Sequence, residues 1–229
     1  KMEKKLILPE VLAPAGNFEK LRAAVRFGAD AVYLAGRRFG MRQASENFSL
    51  EELREAAEYM HSRGKKMYLT VNILPHGPEY PALREFIREC AKIDIDGYIV
   101  ADLGVIAMIK EINPTADIHI STQASIVSPE AARAYAALGA KRLVLARELT
   151  LSEIRAIRAY AQEHGVHFAF DLHSPYHKGG TNDHIFIVRN MPEKLPRFDA
   201  FSESESQELL QKGITDRNAL WKIRRTVST

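Results

Sequence analysis

Cysteine is almost absent from this sequence, because Cys90 is the single one among 229 residues. One cysteine excludes a disulfide framework within the chain. It also argues against an iron–sulfur cluster held by this chain alone, since such clusters take several cysteine ligands. Cys90 falls on the apolar face of a predicted helix, which indicates a core residue.

Long hydrophobic runs are absent as well. No apolar run approaches the roughly 20 residues that a membrane-spanning helix needs. The chain starts with the basic stretch Lys1–Lys5, but the apolar stretch Leu6–Leu8 after it is far too short for a signal peptide. We therefore expect a cytoplasmic protein with no membrane contact.

Charge of one sign is not in excess, because 32 Lys and Arg oppose 29 Asp and Glu. The formal net charge of +3 permits an RNA partner but does not by itself predict one. Hydrophobic residues make up 46% of the chain and occur throughout it, which excludes disorder over most of its length. The chain is long enough to bury the core of one large domain or two small ones.

One unit recurs from residue 6 to about residue 171: a short apolar run, a loop, an amphipathic helix, then the next run. The runs are apolar almost throughout, which is typical of strands covered on both faces in a parallel sheet. The helical segments place apolar residues such as Leu53, Ala56 and Met60 on one face. The seven predicted strands are Leu6–Leu12, Ala31–Leu34, Lys66–Val71, Gly97–Val100, Asp117–Ser121, Arg142–Leu145 and Val166–Phe170.

Seven strand–helix units in succession predict an α/β fold, a (β/α)8 TIM-like barrel that is incomplete or has an irregular C-terminal part. Helix starts agree with this interpretation, because Ser49 with Glu52 and Thr150 with Glu153 have capping-box spacing. A doubly wound open sheet is the alternative. It is less favoured, since the segment Ala13–Gly16 after the first strand is not a G-x-G-x-x-G phosphate loop.

The character of the chain changes after residue 172. We therefore predict a barrel over residues 6–172 and an irregular C-terminal segment over residues 173–229. Within that segment, Ile185–Val188 is a candidate eighth strand, and a short helix is predicted near residues 202–210. The segment Trp221–Arg225 is basic, with one aromatic residue.

Polar groups follow nearly every predicted strand, at the end of the barrel that carries active sites in this fold. Thr122 and Gln123 place an amide beside a hydroxyl, which suits recognition of a carboxylate or carbonyl. Arg147 offers a fixed cation for an anionic substrate if it is desolvated, and a long loop that contains Arg42 could cover the mouth. The predicted substrate-binding residues are Asn72, Thr122, Gln123, Arg147 and Arg42.

Each of these groups has a structural alternative. Asn17 and Asp102 have the position and chemistry of helix caps. Asn72 could instead hydrogen-bond a neighbouring loop. Arg147 with Glu148 could form an ordinary ion pair, which contributes little at an exposed site.

Catalytic groups are fewer. The chain has no convincing Ser-His-Asp or Cys-His arrangement. A metal-activated water that uses Glu148, Asp171 or His173 is the remaining hydrolytic route, and these three are the predicted catalytic residues. No H-E-x-x-H or C-x-x-C zinc motif occurs.

An ordered series of motifs resembles peptidase family U32, the collagenase-like protease family, over roughly residues 6–166. The resemblance implies either the peptidase activity of the family name or a role in RNA modification, the hydroxylation of tRNA uridine or ribosomal RNA cytidine. Other members resemble factors for oxygen-independent ubiquinone hydroxylation. The motifs are Val11–Asn17, Gly28–Leu34, Arg42–Phe48, Thr70–Asn72, Ser121–Gln123 and Leu145–Leu149.

The sequence departs from the family after the seventh predicted strand. The resemblance implies a Val-His-Gly motif closely followed by cysteine, the site of an iron–sulfur cluster in the hydroxylation branches, but Phe170–Ser174 stands there and no cysteine follows. Residues 168–190 are instead similar to zinc carboxypeptidase-like proteins of family M14. That similarity implies His173 as a zinc ligand.

We therefore expect a U32-like barrel that binds a small anionic or peptide-like ligand at its C-terminal face, with hydrolysis implied by resemblance alone. The alternative is a binding module for RNA, related to tRNA or ribosomal RNA hydroxylation, or an inactive truncated family member. In the last case a second copy or a partner chain is expected to complete the barrel wall.

Overall fold

The sheet of this protein is an eight-stranded barrel. The structure, a computed structural model, describes residues 10–39, 47–146, 149–163, 167–171 and 185–188. Neighbouring strands pair in chain order around a closed barrel. The strands are β1 (Glu10–Pro14), β2 (Ala31–Ala35), β3 (Lys66–Val71), β4 (Gly97–Val100), β5 (Ile118–Ile120), β6 (Ala140–Val144), β7 (His167–Asp171) and β8 (Ile185–Val188).

Six α-helices alternate with the strands in the part of the chain that the structure describes. Two short 3-10 helices, Gly77–Glu79 and Thr122–Ala124, lie in loops that follow β3 and β5. The alternation produces the parallel crossover units that the apolar periodicity predicts. The helices are α1 (Phe18–Arg26), α2 (Leu50–His61), α3 (Tyr80–Cys90), α4 (Leu103–Ile112), α5 (Pro129–Ala137) and α6 (Leu151–Glu163).

The eighth strand breaks the parallel pattern. Strands β1 to β7 are parallel to their sequence neighbours, whereas β8 is antiparallel to both β7 and β1. An antiparallel neighbour needs no crossover helix. The predicted TIM-like barrel with an irregular C-terminal part is therefore confirmed, and the doubly wound open sheet is not found.

Two further predictions concern the chain beyond the seventh strand. The boundary between residues 172 and 173 and the helix near residues 202–210 lie outside the described residues. The sheet closes on itself within this chain. Association with a second copy or a partner chain stays a prediction. None of the described helices has the length and apolar character to cross a membrane.

Side-chain caps begin the helices where the sequence signals stand. Asn17 Oδ1 accepts a hydrogen bond from the Lys20 amide at 2.9 Å. Ser49 and Glu52 form the reciprocal capping box. The pKa of Glu52 is lowered mainly because its carboxylate accepts a hydrogen bond from the Ser49 backbone N–H. These caps satisfy amides at the ends of the strand-to-helix loops, so the loops enter their helices at defined points.

Alternate side chains of each strand point into the barrel. The middle of the interior is apolar, and Tyr33 packs against this part of it. Such packing makes the inside of the barrel a filled core rather than a channel. The buried members of this cluster are Leu12, Ala31, Tyr68, Ile99 and Val144.

A buried polar layer lies in the N-terminal half of the interior. Arg142 Nη1 donates to Glu10 Oε1 at 2.9 Å, and both side chains are buried. Tyr68 Oη donates to the same carboxylate at 3.0 Å, while the Arg142 guanidinium lies 5.0 Å from the Tyr68 ring centre. Burial raises the pKa of Tyr68, so its hydroxyl remains a donor. The charges of this layer therefore neutralise each other inside the barrel.

His119 completes the layer by packing edge-on against Tyr68, with ring centres 4.6 Å apart. Gly97 at the start of β4 makes room for it, because a Cβ atom there would lie 2.9 Å from the imidazole ring. A side chain at position 97 would thus displace His119 from Tyr68.

Replacing Arg142 by Met is expected to lower the free energy of unfolding by about 3 kcal/mol, because the buried Glu10 carboxylate loses its cation. Urea denaturation followed by circular dichroism measures this. The double variant with Glu10→Gln keeps an acceptor for Tyr68 without a charge, so it should lose less than the single variant. Equal stability of Arg142→Met and the parent chain would contradict a stabilising role for this pair.

Candidate functional site

The loops that follow the parallel strands meet at one end of the barrel, its C-terminal face. Asn72 follows β3, Asp102 follows β4, and the segment Ser121–Gln123 follows β5. Asn72 continues the alternation of Tyr68 and Thr70 along β3, so it lies on the inner side of the mouth. The barrel topology therefore collects polar side chains from distant parts of the sequence.

The central contact of this face joins two carboxamides. Asn72 Nδ2 donates to Gln123 Oε1 at 2.6 Å, although 51 residues separate the two in sequence. Because β4 lies between β3 and β5, the strands that carry them are about 10 Å apart. The two side chains meet beyond the end of β4, where Ala101 contributes only a methyl group. We call this contact the amide pair.

Ser121 holds the Gln123 side of the amide pair. Its Oγ donates to Gln123 Oε1 at 3.3 Å and accepts from the Gln123 backbone N–H at 3.4 Å. The Gln123 carbonyl oxygen thus receives hydrogen bonds from both an amide and a hydroxyl, which fixes the orientation of its carboxamide. The turn ends at Ser125, whose φ of 52° is left-handed.

Thr122 ties the same turn to the next strand. Its Oγ1 donates to the Leu145 carbonyl just after β6, at 3.1 Å. The Ala146 amide donates in turn to the Ile126 carbonyl, also at 3.1 Å. In this structure the Thr122 hydroxyl therefore positions the β5–α5 loop against the end of β6.

A second cross-loop contact joins the β3–α3 and β4–α4 loops. Tyr80 Oη donates to Asp102 Oδ1 at 2.7 Å, and the same oxygen accepts from the Val105 amide at 2.9 Å. Asp102 is therefore a helix cap, the alternative that its position favours, and also an anchor for Tyr80. Gly104 allows this contact, because a Cβ there would lie 2.2 Å from Tyr80 Oη.

Burial, and then the hydrogen bond to Asp102, raise the pKa of Tyr80 to about 12. The hydroxyl therefore keeps its proton at neutral pH and remains a donor to the carboxylate. Neither Tyr80 nor Ser121 is among the site residues predicted from the sequence. A signal for Tyr80 was available in Gly104, since a glycine in the first turn of an apolar helix indicates close approach by another group.

The loop after β2 is closed at its base. Gly36 and Phe48 form an isolated parallel bridge. The Arg37 amide donates to the Phe48 carbonyl at 2.9 Å, and Arg37 Nε donates to the Asn47 carbonyl at 3.2 Å. The two ends of the loop are thus adjacent. Residues 40–46, which include the predicted substrate-binding residue Arg42, lie outside the described residues.

Phe39 turns the chain into this loop with a φ of 67°, a conformation that side chains rarely adopt. Its ring is buried against Phe86 of α3, with centres 5.6 Å apart, and the Arg38 guanidinium lies 5.1 Å from the Phe39 ring centre. The packing offsets the backbone strain and holds Arg38 beside the α3 side of the mouth.

Four of the predicted site residues lie in the part of the chain that the structure describes. Asn72, Thr122 and Gln123 share the C-terminal face, and Asp171 ends β7 at the same face, paired with Ile185. The other predicted residues lie outside the described part of the chain, so their roles stay predictions. These are Arg42, Arg147, Glu148 and His173.

Groups of metal-ligating side chains are absent from the described residues. Across residues 10–39, 47–146 and the shorter described stretches, no three or more His, Cys, Asp or Glu side chains form a group that could hold a metal ion. Cys90 is buried on α3, and burial raises the pKa of its thiol to about 12.

Comparisons with known proteins agree with this architecture. The model of Peptidase family U32 matches residues 16–171. The tRNA hydroxylation protein P1 of Bacillus subtilis is 39% identical over 150 residues, which cover 66% of this chain and 36% of that protein. A collagenase of Porphyromonas gingivalis is 36% identical over 149 residues, which cover 65% of this chain and 35% of the collagenase. The chain thus spans about a third of the length of these curated relatives.

A solved structure has the same fold. The U32 peptidase Mk0906 superposes with a TM-score of 0.59 and 19% sequence identity, over 73% of this chain and 70% of that one. At this level of identity the likeness concerns the barrel alone.

Gly104→Ala is expected to displace the Tyr80 hydroxyl from Asp102 and so to lower the pKa of Tyr80 from about 12 toward the ordinary value of 10. The titration of Tyr80 is measured as the ultraviolet difference between each chain and its Tyr80→Phe counterpart. Gly77→Ala is the matched control, because a Cβ at Gly77 meets nothing within 4 Å.

The same shift predicts how stability depends on pH. Between pH 10 and about 12 the folded chain keeps the Tyr80 proton, whereas the unfolded chain loses it. The contribution of Tyr80 to stability is therefore complete below pH 10 and is lost as the pH rises through about 12. A Tyr80 pKa that is the same in Gly104→Ala as in the parent chain would contradict the contact between Tyr80 and Asp102.

Proposed function

Because this chain is a member of peptidase family U32, we propose that it is the RNA-binding barrel of a protein that takes part in RNA hydroxylation. Its C-terminal face would bind a nucleotide, with a base directed at the mouth. The observation that carries the proposal is the amide pair of Asn72 and Gln123.

Carboxamides suit a base because each has a donor and an acceptor on one planar group, as the hydrogen-bonding edge of a base does. The orientation of the Gln123 carboxamide is set in advance by the hydrogen bonds from Asn72 and Ser121. A group held in this way loses little side-chain freedom on binding, which favours affinity. The amide pair therefore has the chemistry and the rigidity of a recognition site.

The relatives point in the same direction. The match to the U32 family model covers both amides, and a relative that is 39% identical over 150 residues is named tRNA hydroxylation protein P1. In the family resemblance, hydroxylation involves an iron–sulfur cluster on several cysteines, and this chain has the single, buried Cys90. We therefore assign binding and positioning of RNA to the barrel, and no step of the reaction.

A small anionic or peptide-like ligand is the second candidate. The same amides match the N–H and C=O of a peptide group, and a relative 36% identical to this chain is named collagenase. The hydrolytic version depends on Glu148, Asp171 and His173. Of these, only the backbone position of Asp171 at the end of β7 supports a place at the mouth.

Gln123→Ala is expected to weaken binding of unfractionated bacterial tRNA about tenfold, the loss of one good base contact. Fluorescence anisotropy at a fixed, stated salt concentration measures the affinity. Asn113→Ala is the control, because this amide lies at the C-terminal end of α4, on the opposite end of the barrel. The affinity of the control should equal that of the parent chain.

The competing function is tested with the same variants on gelatin. Binding or cleavage of gelatin that is lost in Gln123→Ala, together with no binding of tRNA by the parent chain, would replace the RNA proposal by the peptide-like one. Binding of tRNA that does not change in Gln123→Ala would remove the amide pair from the site.

A further inference from the structure

Aliphatic side chains are exposed on the three loops around the amide pair. Leu74 after β3, Leu103 after β4 and Val127 after β5 are 72%, 57% and 49% exposed. Single exposed apolar residues are ordinary on a protein surface, but three on consecutive loops at one opening indicate a contact surface. We call these three side chains the apolar rim.

The loops of the apolar rim have no positive charge. Residues 72–79, 101–104 and 121–128 contain neither lysine nor arginine. A phosphate backbone needs cations, so it would gain little from this part of the mouth. The apolar rim and the amide pair therefore lie in a half of the C-terminal face that has no lysine or arginine, and its carboxylates, Glu79 and Asp102, accept hydrogen bonds from the His76 amide and the Tyr80 hydroxyl. We call it the cation-free half.

Cations stand on the neighbouring side, after β2. Arg37 is engaged by the Glu52 carboxylate at 3.1 Å. Arg38 is exposed and rests on the ring of Phe39, which packs on Phe86 of α3. Since β2 pairs with β3, with Ala35 opposite Thr70, the loop that carries Arg38 is next to the loop that carries Leu74 in the cation-free half.

We propose that the C-terminal face is divided: the apolar rim and the amide pair contact an unstacked base, and Arg38 contacts a phosphate of the same strand. This inference rests on the proposed function and assigns each part of a nucleotide to one half of the mouth. A base has apolar faces and a polar edge, so aliphatic groups beside fixed amides complement it. Its phosphate lies one sugar away and needs a cation.

RNA fits this arrangement better than a peptide does. A peptide that matched the apolar rim would carry no obligatory anion for Arg38, whereas every nucleotide joins a neutral planar group to a negative charge. The complementarity of charge therefore favours single-stranded RNA as the occupant.

Substitutions in the two halves are expected to act differently on tRNA binding. Leu74→Ser and Leu103→Ser should each weaken the affinity about fivefold by removing apolar contact, with the dependence on salt unchanged. Arg38→Gln should make the slope of log affinity against log salt shallower by about one, the effect of one lost phosphate contact. Unfractionated tRNA is titrated by anisotropy over a salt series.

The chain offers matched controls at its other end. Phe27 and Leu138 end α1 and α5, at the opposite end of the barrel, and are 71% and 48% exposed. Phe27→Ser and Leu138→Ser remove similar apolar surface, so they should leave tRNA affinity unchanged. Thermal unfolding of all variants checks that each remains folded.

The division of the mouth is overturned if the apolar-rim variants bind tRNA like the controls, or if they change the salt slope as Arg38→Gln does. It is also overturned if they lose binding to gelatin but not to tRNA. When Gln123→Ala weakens tRNA binding and the apolar-rim variants do not, the proposed function stands and this inference fails. A parent chain that binds no tRNA ends both.

Discussion

The parallel alignment of β1 to β7 is the constraint on which the candidate site depends. Parallel strands end on one side of a sheet, and closure into a barrel brings those ends around a single opening. Asn72 and Gln123 therefore share a hydrogen bond across 51 residues of sequence. Had β5 been antiparallel, Gln123 would lie at the opposite end from Asn72, and Thr122 would not reach the end of β6. Had β4 been antiparallel, Asp102 would lie at the opposite end from Tyr80.

Polar groups in this barrel serve two different purposes according to depth. In the N-terminal half, Glu10 and Arg142 satisfy each other and are buried, so they contribute to the core and offer nothing to a ligand. At the C-terminal face, Asn72 and Gln123 are partly exposed. An apolar layer separates the two groups. The stabilising pair and the proposed recognition groups thus lie toward opposite ends, the arrangement that is general for barrels of this type.

Much of the candidate site follows from sequence, because strand ends and helix caps are local signals. The prediction that Asn72, Thr122 and Gln123 stand at strand ends requires only the alternation of apolar runs and helices. The sequence left two interpretations of Asn72 open, ligand recognition or a hydrogen bond to a neighbouring loop. In the structure Asn72 donates a hydrogen bond to Gln123 in the loop after β5, and ligand recognition stays a proposal. Gly104 signals that some group approaches the start of α4, but that group, Tyr80, lies 22 residues from its partner Asp102, so its identity is not a local signal.

The sequence by itself determined the order and type of the elements, because short continuous apolar runs mark buried strands, an apolar period of 3.6 residues marks the buried faces of helices, and caps mark where helices begin. Only the tertiary structure decided that β8 runs antiparallel, that Phe39 takes a left-handed turn against Phe86, and that the amides meet beyond β4. Those outcomes depend on pairing and packing between segments far apart in the chain. A local pattern reports that a residue is buried, but not which distant residue buries it.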